Sequence, residues 1–530
     1  TIPFKNTSST KKLSNFFDDL NAPIFFYRCC DFHPKPTVPT SGPIATTKLH
    51  YSGMSKRIAR LSTHLQTDLT KTEILALRTK HFCTAQSVSY ANSDPLLIVG
   101  GRGAFLHDER GNAYLDARNN VCHVGHQHPA VVRAVQEQIA TLNTNTRYLH
   151  PNVVRLADAL LRTFPAGSAL SPERGGKVFF VNSGTEANDL AIRLAQVHTK
   201  RTECVVVDHA YHGHSAAVIE ISPYKFNGPG GSGKPPHVHV VPCPDVYRGA
   251  HRGAGAARAY SDPVGAACTA AASAGRSGVA AFFIESGMSV GGVILPPRGY
   301  LPQCYAHVRD AHSARVADEV QVGFGRYGAH YWGFEQALAG GTDELGEQLV
   351  PDIVTMGKPF GNGMALAAVV TTAAIAASFA NGMEYFNTFG GNPVACAAGL
   401  AVLATIEAEG LREHAVRVGA HLQTRLAELQ ERAPLIGDVR GSGLFIGIEF
   451  VRDRVTRNVA PAEVSLICSR LKEEHRILTS TDGPHHNVLV LKPPMCFSTE
   501  NADTFVDALD EVLRTLDMSA VDVDAPLTPT

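Results

Sequence analysis

Between about residues 178 and 372 the chain alternates short apolar runs with stretches of helical period: KVFFVNSG, EANDLAIRLAQVHTK, ECVVVDHA, HVHVVPC, VAAFFIES, ARVADEV, PDIVTMGK and AAVVTT. A strand with one wet face alternates apolar and polar side chains, whereas a run that is apolar throughout is covered on both faces. Such runs separated by helices predict an α/β fold, a mainly parallel sheet covered by helices. At 530 residues the chain is also longer than one ordinary core requires, so a second domain is expected.

The flanks supply it. LLIVGGRGAFLHDERGNAYLDA predicts a small meander turning at Glu109 to Asn112, and PAVVRAVQEQIATL an amphipathic helix with Pro129 in its first turn. After a helical signal from Pro393 to Ala433 come DVRGSGLFIGIEFV, a helix near 461–475, ILTSTDG, NVLVLKPPM and a last helix near 500–516, which suits a smaller α+β domain. Ala-rich 250–280 predicts a further helix, and FNGPGGSGKPP at 226–236 a surface loop. The expected organisation is an extension over 1–70, an N-terminal segment of the small domain over 71–117, a large domain over 118–390, the C-terminal part of the small domain over 391–517 and a tail over 518–530. The extension is rich in Ser, Thr and Pro without a sustained period. Its basic residues, Lys5, Lys11, Lys12, Arg28, Lys48, Arg57 and Arg60, suit a cleaved organellar presequence, while Asp18, Asp19 and Asp31 suit a disordered tail. Mitochondrial and cytoplasmic locations both stay open.

The 48 basic and 49 acidic side chains balance, which gives no electrostatic footprint for nucleic acid or an anionic membrane. No apolar stretch approaches the roughly 20 residues of a spanning helix. Neither nucleic acid nor membrane is an expected partner; small molecules are. The 11 cysteines are scattered without a CxxC pair, which points to a reducing compartment and away from a zinc site. His123, His126 and His128 of NNVCHVGHQHP lack the i, i+4 spacing of a helical metal site and read as part of a Gly/His/Pro turn, so no metal is expected.

Three of the apolar runs end in residues that carry chemistry. VFFVNSGTEAND leads into Ser183, Gly184 and Thr185 and then a helix starting near Glu186; a small-residue turn at a helix N-terminus suits a phosphate. VADEVQVGFGRYG ends in Asp318, with Glu319 and Gln321 beyond, and a carboxylate at the C-terminal end of a parallel strand sits where such sheets bind ligands. DIVTMGKPFGNG ends in Lys358 among small residues, where desolvation makes an amine a carbonyl nucleophile. Each alone has an ordinary explanation: a helix cap with Thr185 capping, a strand-end acid, an exposed loop lysine. Together, after buried-type strands of one sheet, they are what pyridoxal phosphate needs: an anchor for its phosphate, a counter-ion for its ring nitrogen and an amine for its aldehyde.

Over roughly residues 75–516 the chain resembles the class III (ornithine and 4-aminobutyrate type) pyridoxal-phosphate aminotransferases of fold type I, with SGTEAN, YHGHS, ADEVQVGFGR, MGKPFGNG, NTFGGNP and RGSGLFIGIE in the family's order. More narrowly it resembles the branch that includes ethanolamine-phosphate phospho-lyase and 5-phosphohydroxy-lysine phospho-lyase, on NNVCHVGHQHP, NTNTRYLHPN, ESGMSVGG, ADEVQVGFGR, GKPFGNG and STDGPHHNVLVLKPPMCF. Ordinary class III transaminases tend to carry E-P-x-Q-G-x-G-G where this chain has Glu285 to Gly292, and DEVQTG where it has Asp318 to Gly323 with Val322; both departures favour the lyase branch. Arg315 is a third departure, standing where the branch usually carries an apolar residue.

The resemblance implies that Gly184 and Thr185, beside Ser183, form the phosphate cup, that Tyr211 stacks on the ring, that Asp318 partners the ring nitrogen and that Gln321 lies near the ring hydroxyl. It makes Lys358 the lysine that bonds the aldehyde and puts Glu285 in the place of the active-site glutamate. It implies that Thr388 reaches the phosphate from a neighbouring subunit, hence a homodimer, or a tetramer, with shared sites. The implied reaction eliminates phosphate and ammonia from a vicinal phosphoamine: Lys358 removes a proton from the amine-bearing carbon and phosphate leaves from the next. A leaving dianion needs a cationic pocket. Arg147 is the first candidate and Arg440, whose counterpart in transaminases holds a substrate carboxylate, the second; a surface ion pair is the alternative for either. The substrate stays open between ethanolamine phosphate, giving acetaldehyde, and 5-phosphohydroxy-L-lysine, giving 2-aminoadipate semialdehyde. The rivals are an ω-aminotransferase that passes the nitrogen to a keto acid and a non-catalytic scaffold of the same fold.

Overall fold

The computed structural model describes residues 69–517 apart from 92, 274–276 and 339–348. All but the last two residues of the expected extension, and the tail over 518–530, lie outside the described residues. Every element below belongs to the unit Ile74–Thr530.

The meander forms from β1 (Ile98–Arg102), β2 (Phe105–Asp108) and β3 (Ala113–Asp116). Asp108 closes its turn by accepting backbone N–H bonds from Arg110 (3.0 Å) and Asn112 (2.8 Å), a standard use of aspartate at a turn. The central sheet comprises β4 (Lys177–Val181), β5 (Glu203–Val207), β6 (Val238–Val241), β7 (Val279–Glu285), β8 (Ala314–Asp318), β9 (Ile353–Met356) and β10 (Ala367–Thr371), in the order β4-β10-β9-β8-β7-β5-β6. Its apolar runs are covered on both faces: Val205, Val207, Phe282 and Ile284 enter one core cluster, while Cys204, Val206, Ala281 and Phe283 enter another. This is the period-two alternation of a strand with no wet side.

The sheet is parallel except at β10, which runs antiparallel to both β9 and β4. The connection over 357–366 carries no helix, and without a crossover element a chain leaving one strand returns antiparallel. Lys358 lies on that return. Because β10 reverses against both neighbours, β4 points the same way as β7, β8 and β9, and their C-terminal ends share one edge.

Beyond the central sheet come β11 (Ile436–Ser442), β12 (Phe445–Phe450), β13 (Ile477–Leu478), β14 (Ser480–Asp482) and β15 (Val488–Leu491). Four of them form a second antiparallel sheet, β11-β12-β15-β14, whereas β13 pairs in parallel with β3 and so joins the meander to the C-terminal part of the chain. No single helix among the described residues is long and apolar enough to cross a membrane.

Several expectations shift in detail. The helix after β4 spans Gly184–Thr199, starting before Glu186, and Ser183 caps it in place of Thr185, its Oγ accepting the Glu186 N–H at 3.2 Å. The helical signal from Pro393 is two helices, Pro393–Ala408 and Leu411–Arg432, parted at Gly410, whose φ of +57° turns the chain out of the first. Among the described residues of the Ala-rich segment, the α-helix spans Ala256–Ala272. Arg315 sits near the start of β8, at the sheet edge away from Asp318, and donates to Asp352 through Nε (2.8 Å) and Nη2 (2.5 Å). An ion pair there replaces apolar packing. His123 Nε2 bonds Phe324 O at 2.7 Å, His126 pairs with Asp116 at 2.7 Å and His128 with Glu409 at 2.9 Å, so each of these histidines has a protein partner.

Candidate active site

The shared edge of β4, β7, β8 and β9 opens onto a cavity of about 370 Å³ lined by Ser183, Gly184, Thr185, Tyr211, Glu285, Asp318, Gln321 and Lys358. A second cavity of about 510 Å³ adjoins it, and Val121 and Lys358 line both.

Strand alternation divides the Asp-Glu pair at the end of β8. Asp318 turns to the cavity, 3% exposed; Glu319 turns away and accepts the N–H groups of Gly333 and Phe334, both at 2.8 Å, with burial raising its pKa to about 7. The Asp318 carboxylate is surrounded by donors: Asn188 Nδ2 and His212 Nδ1 each lie 2.8 Å from Oδ2, and Val320 N–H bonds Oδ1 at 3.0 Å. At the end of β7, Glu285 accepts from the N–H of Tyr211 (3.0 Å) and Ser289 (3.2 Å). Burial raises its pKa to about 7, with the Asp318 charge adding and the N–H groups of Tyr211 and Ser289 opposing. Gln321 is held by Asn120, whose Nδ2 donates to Oε1 at 2.8 Å.

The Lys358 side chain reaches solvent through the cavities it lines, while protein encloses it on the other sides. That enclosure lowers its pKa, against the opposing pull of Asp318, Glu285 and Asp482.

The first cavity has the form of a cradle for a flat ring that carries a phosphate. The helix Gly184–Thr199 presents its N-terminus there, with the positive end of its dipole. Two glycines keep the space clear. A Cβ at Gly184 would stand 2.8 Å from Val320 Cγ1, and one at Gly213, where φ is +143°, 2.6 Å from Thr185 Oγ1. The Asp318 carboxylate, the Lys358 amine of lowered pKa and the Tyr211 ring complete the lining.

The aminotransferase class-III family model matches residues 87–513. The chain belongs to the class-III aminotransferase family. Its cofactor is pyridoxal 5'-phosphate and its architecture that of fold type I. Among relatives, the "alanine–glyoxylate aminotransferase 2-like" protein of Drosophila melanogaster is 49% identical over 451 residues, covering 84% of this chain and 87% of the relative. "Ethanolamine-phosphate phospho-lyase homolog 1" of Caenorhabditis elegans is 41% identical over 454 residues, covering 84% and 93%. A solved phospholyase from Arthrobacter in complex with phosphoethanolamine superposes with a TM-score of 0.76 at 37% identity, covering 84% of this chain and 100% of that one.

Three residues expected at the site of this class-III protein do not line either cavity. Thr388 is exposed, in the turn before the helix Pro393–Ala408. Arg147, its side chain 55% exposed, stacks over Phe386 at 4.1 Å and pairs with Glu384 at 3.1 Å. The Arg440 guanidinium is committed elsewhere: Nη1 to Asp438 and Glu449, both at 2.7 Å, and Nη2 to Gly292 O at 2.6 Å.

Other residues come to the site unannounced. Arg118, Asp482, His486 and Lys492 line the second cavity with Lys358. Lys492 Nζ donates to Ser289 Oγ at 2.9 Å and stands 3.7 Å from Asp482. Burial lowers the Lys492 pKa, with the Lys358 and Arg118 charges adding and Asp482 opposing. Lys492 and Asp482 lie inside motifs that carried the resemblance, NVLVLKPPM and STDG, yet nothing in those strings marks them as inward-facing.

Proposed function

We propose that this class-III enzyme is a phospho-lyase that eliminates phosphate and ammonia from a vicinal phosphoamine. The observation that carries the reading is Arg118 and Lys492 in the lining of the second cavity, next to Lys358, where Asp482 and Asp116 offset only part of their charge. Cations gathered in a partly desolvated pocket repel one another, and a phosphate dianion is the kind of ligand that relieves them. The committed guanidinium of Arg440 supports the same reading, since the group expected to hold a keto or amino acid carboxylate in a transaminase has its donors in use. The solved phospholyase relative adds weight. In this proposal Arg118 and Lys492, not Arg440, meet the substrate phosphate.

When bound, the cofactor supplies an electron sink for the pair left on the amine-bearing carbon. Lys358 Nζ, at the junction of the two cavities, takes the proton from that carbon. The C–O bond to phosphate breaks with its electron pair on the departing oxygen, where Arg118 and Lys492 meet the charge. Lys358 returns the proton to the carbon that phosphate has left, and water then adds at the amine-bearing carbon, releasing ammonia and leaving an aldehyde.

The test is to supply the purified holoenzyme with ethanolamine phosphate and with 5-phosphohydroxy-L-lysine and measure phosphate and ammonia. Equal release of both products from either substrate is expected. The name of the Drosophila relative favours amino transfer instead; no phosphate release, with amination of a keto acid such as glyoxylate, would replace the lyase reading with that one.

Thr388 and Arg147 share one outer face in this proposal. Thr146 Oγ1 bonds Asn387 O at 3.3 Å, and the same surface bears Tyr148 (70% exposed), Leu149 (103%), Met383 (72%) and Phe389 (67%). Apolar patches of this kind are uncommon on the surface of a monomer. The face is proposed to pair with a second copy, carrying Thr388 and Arg147 to the partner's cavities. Phe389→Asp is expected to halve the mass measured by light scattering and to suppress turnover at dilute protein; an unchanged mass would assign the interface elsewhere.

A further inference from the structure

His212 lines the first cavity behind Asp318. It is fully buried, and its Nδ1 stands 2.8 Å from Asp318 Oδ2. Its Nε2 is buried and, among the described residues, has no hydrogen-bond partner; the Phe283 ring packs at 5.8 Å. An imidazolium here would leave a charged N–H against an apolar wall, a severe cost for a buried donor. A neutral ring with its proton on Nδ1 buries only a lone pair.

The partners around Asp318 settle which nitrogen holds that proton. Thr355 Oγ1 donates to Asn188 Oδ1 at 2.7 Å, which turns the amide nitrogen of Asn188 toward Asp318 Oδ2 and His212 O, each at 2.8 Å. Asn188 is thus fixed as a donor to Oδ2 by a bond on its far side. The second group on the same oxygen must also donate, because an ionised carboxylate only accepts. A neutral donor orients the carboxylate without cancelling its charge, whereas an imidazolium would form a closed ion pair with it.

We propose that His212 is a positioning residue that, as a neutral imidazole donating through Nδ1, holds the Asp318 carboxylate in place and leaves its negative charge available to the protonated ring nitrogen of the cofactor. The role is the same whether the enzyme eliminates phosphate or transfers an amino group.

The test exploits which nitrogen donates. Asparagine carries its amide nitrogen on Cγ, as histidine carries Nδ1; glutamine carries it one bond further, near the place of Nε2. His212→Leu and His212→Gln are expected to raise the dissociation constant of pyridoxal phosphate from the enzyme about tenfold, the size of a lost hydrogen bond to a charged group. His212→Asn is expected to restore it to within about threefold. In an Asp318→Asn background His212→Leu is expected to change nothing further, since the group it acts through is gone. Fluorescence titration reads the constant, and thermal melting of each apoenzyme checks that it is folded. If His212→Leu does not fold, the comparison of Asn with Gln decides alone. An Asn variant as weak as Gln, or an undiminished His212→Leu effect without Asp318, would overturn the proposal.

Discussion

Lys358→Ala is expected to lower phosphoamine turnover by about ten-thousandfold or more, since it removes both the covalent anchor of the cofactor and the base that takes the substrate proton. Its place makes it irreplaceable: it lines both cavities, on the loop that turns the chain back from β9 to β10. Burial lowers its pKa from the ordinary 10.5, so the neutral, nucleophilic amine persists to lower pH than a surface lysine allows. The sign can be checked without turnover. Uptake of pyridoxal phosphate by the apoenzyme, followed by visible absorbance, should rise with pH and level off below 10.5, because the amine is lost to protonation only as pH falls through the lowered value. Alanine removes an amine whose charged form the site disfavours, so the apoenzyme should melt no lower than the parent. A variant that kept turnover within about tenfold of the parent would take Lys358 out of the chemistry.

The sheet was legible because its strands are apolar throughout, and that pattern carries burial directly. It carries no direction: AAVVTT at β10 would read the same in a parallel strand, and only the helix-free connection before it hints at reversal. The first cavity was legible because its parts each end a strand, and strand ends of one sheet meet at one edge. The cap at Ser183 was not, since Ser183 and Thr185, two residues apart, both carry a hydroxyl and only the backbone conformation decides which one caps. The cationic wall was hidden for another reason. Arg118 follows the meander and Lys492 follows β15, and they face one cavity where β13 pairs with β3. Long-range pairing of that kind leaves no local trace. Arg440 was open to a better reading: Asp438, two residues earlier on β11, shares its strand face, and Glu449 lies opposite Asp438 in register. His212 and His214 stand in one short motif, yet one is buried against Asp318 and the other exposed, a difference set by the turn between them.

Lys492→Met is expected to reduce kcat/KM for a phosphoamine by about 100- to 1,000-fold, as loss of a donor to developing oxyanion charge does elsewhere. Lys492 lines the second cavity and not the first, so the absorbance and affinity of bound cofactor should be unchanged. The fold should tolerate the change: Asp482, its neighbour at 3.7 Å, already has a pKa raised by burial and can take up a proton once the lysine is gone. The pH profile gives a second reading. The lowered pKa of Lys492 means its positive charge is present below that value and lost as pH rises through it, so parent turnover should fall on the alkaline side below 10.5. Lys492→Met should lack that fall. Asp482→Asn removes the charge that opposes the shift and should move it to still lower pH. If Lys492→Met instead kept phosphoamine kcat/KM within about fivefold of the parent, the phosphate would have to be held by other cations. Arg118 would then be first among them, with its Nη1 3.2 Å from Ser89 Oγ on the same wall. A loss shared equally with a keto acid substrate would mean that the pocket reads any anion, and that the distinction between elimination and transfer lies in how Lys358 is placed and not in what Lys492 holds.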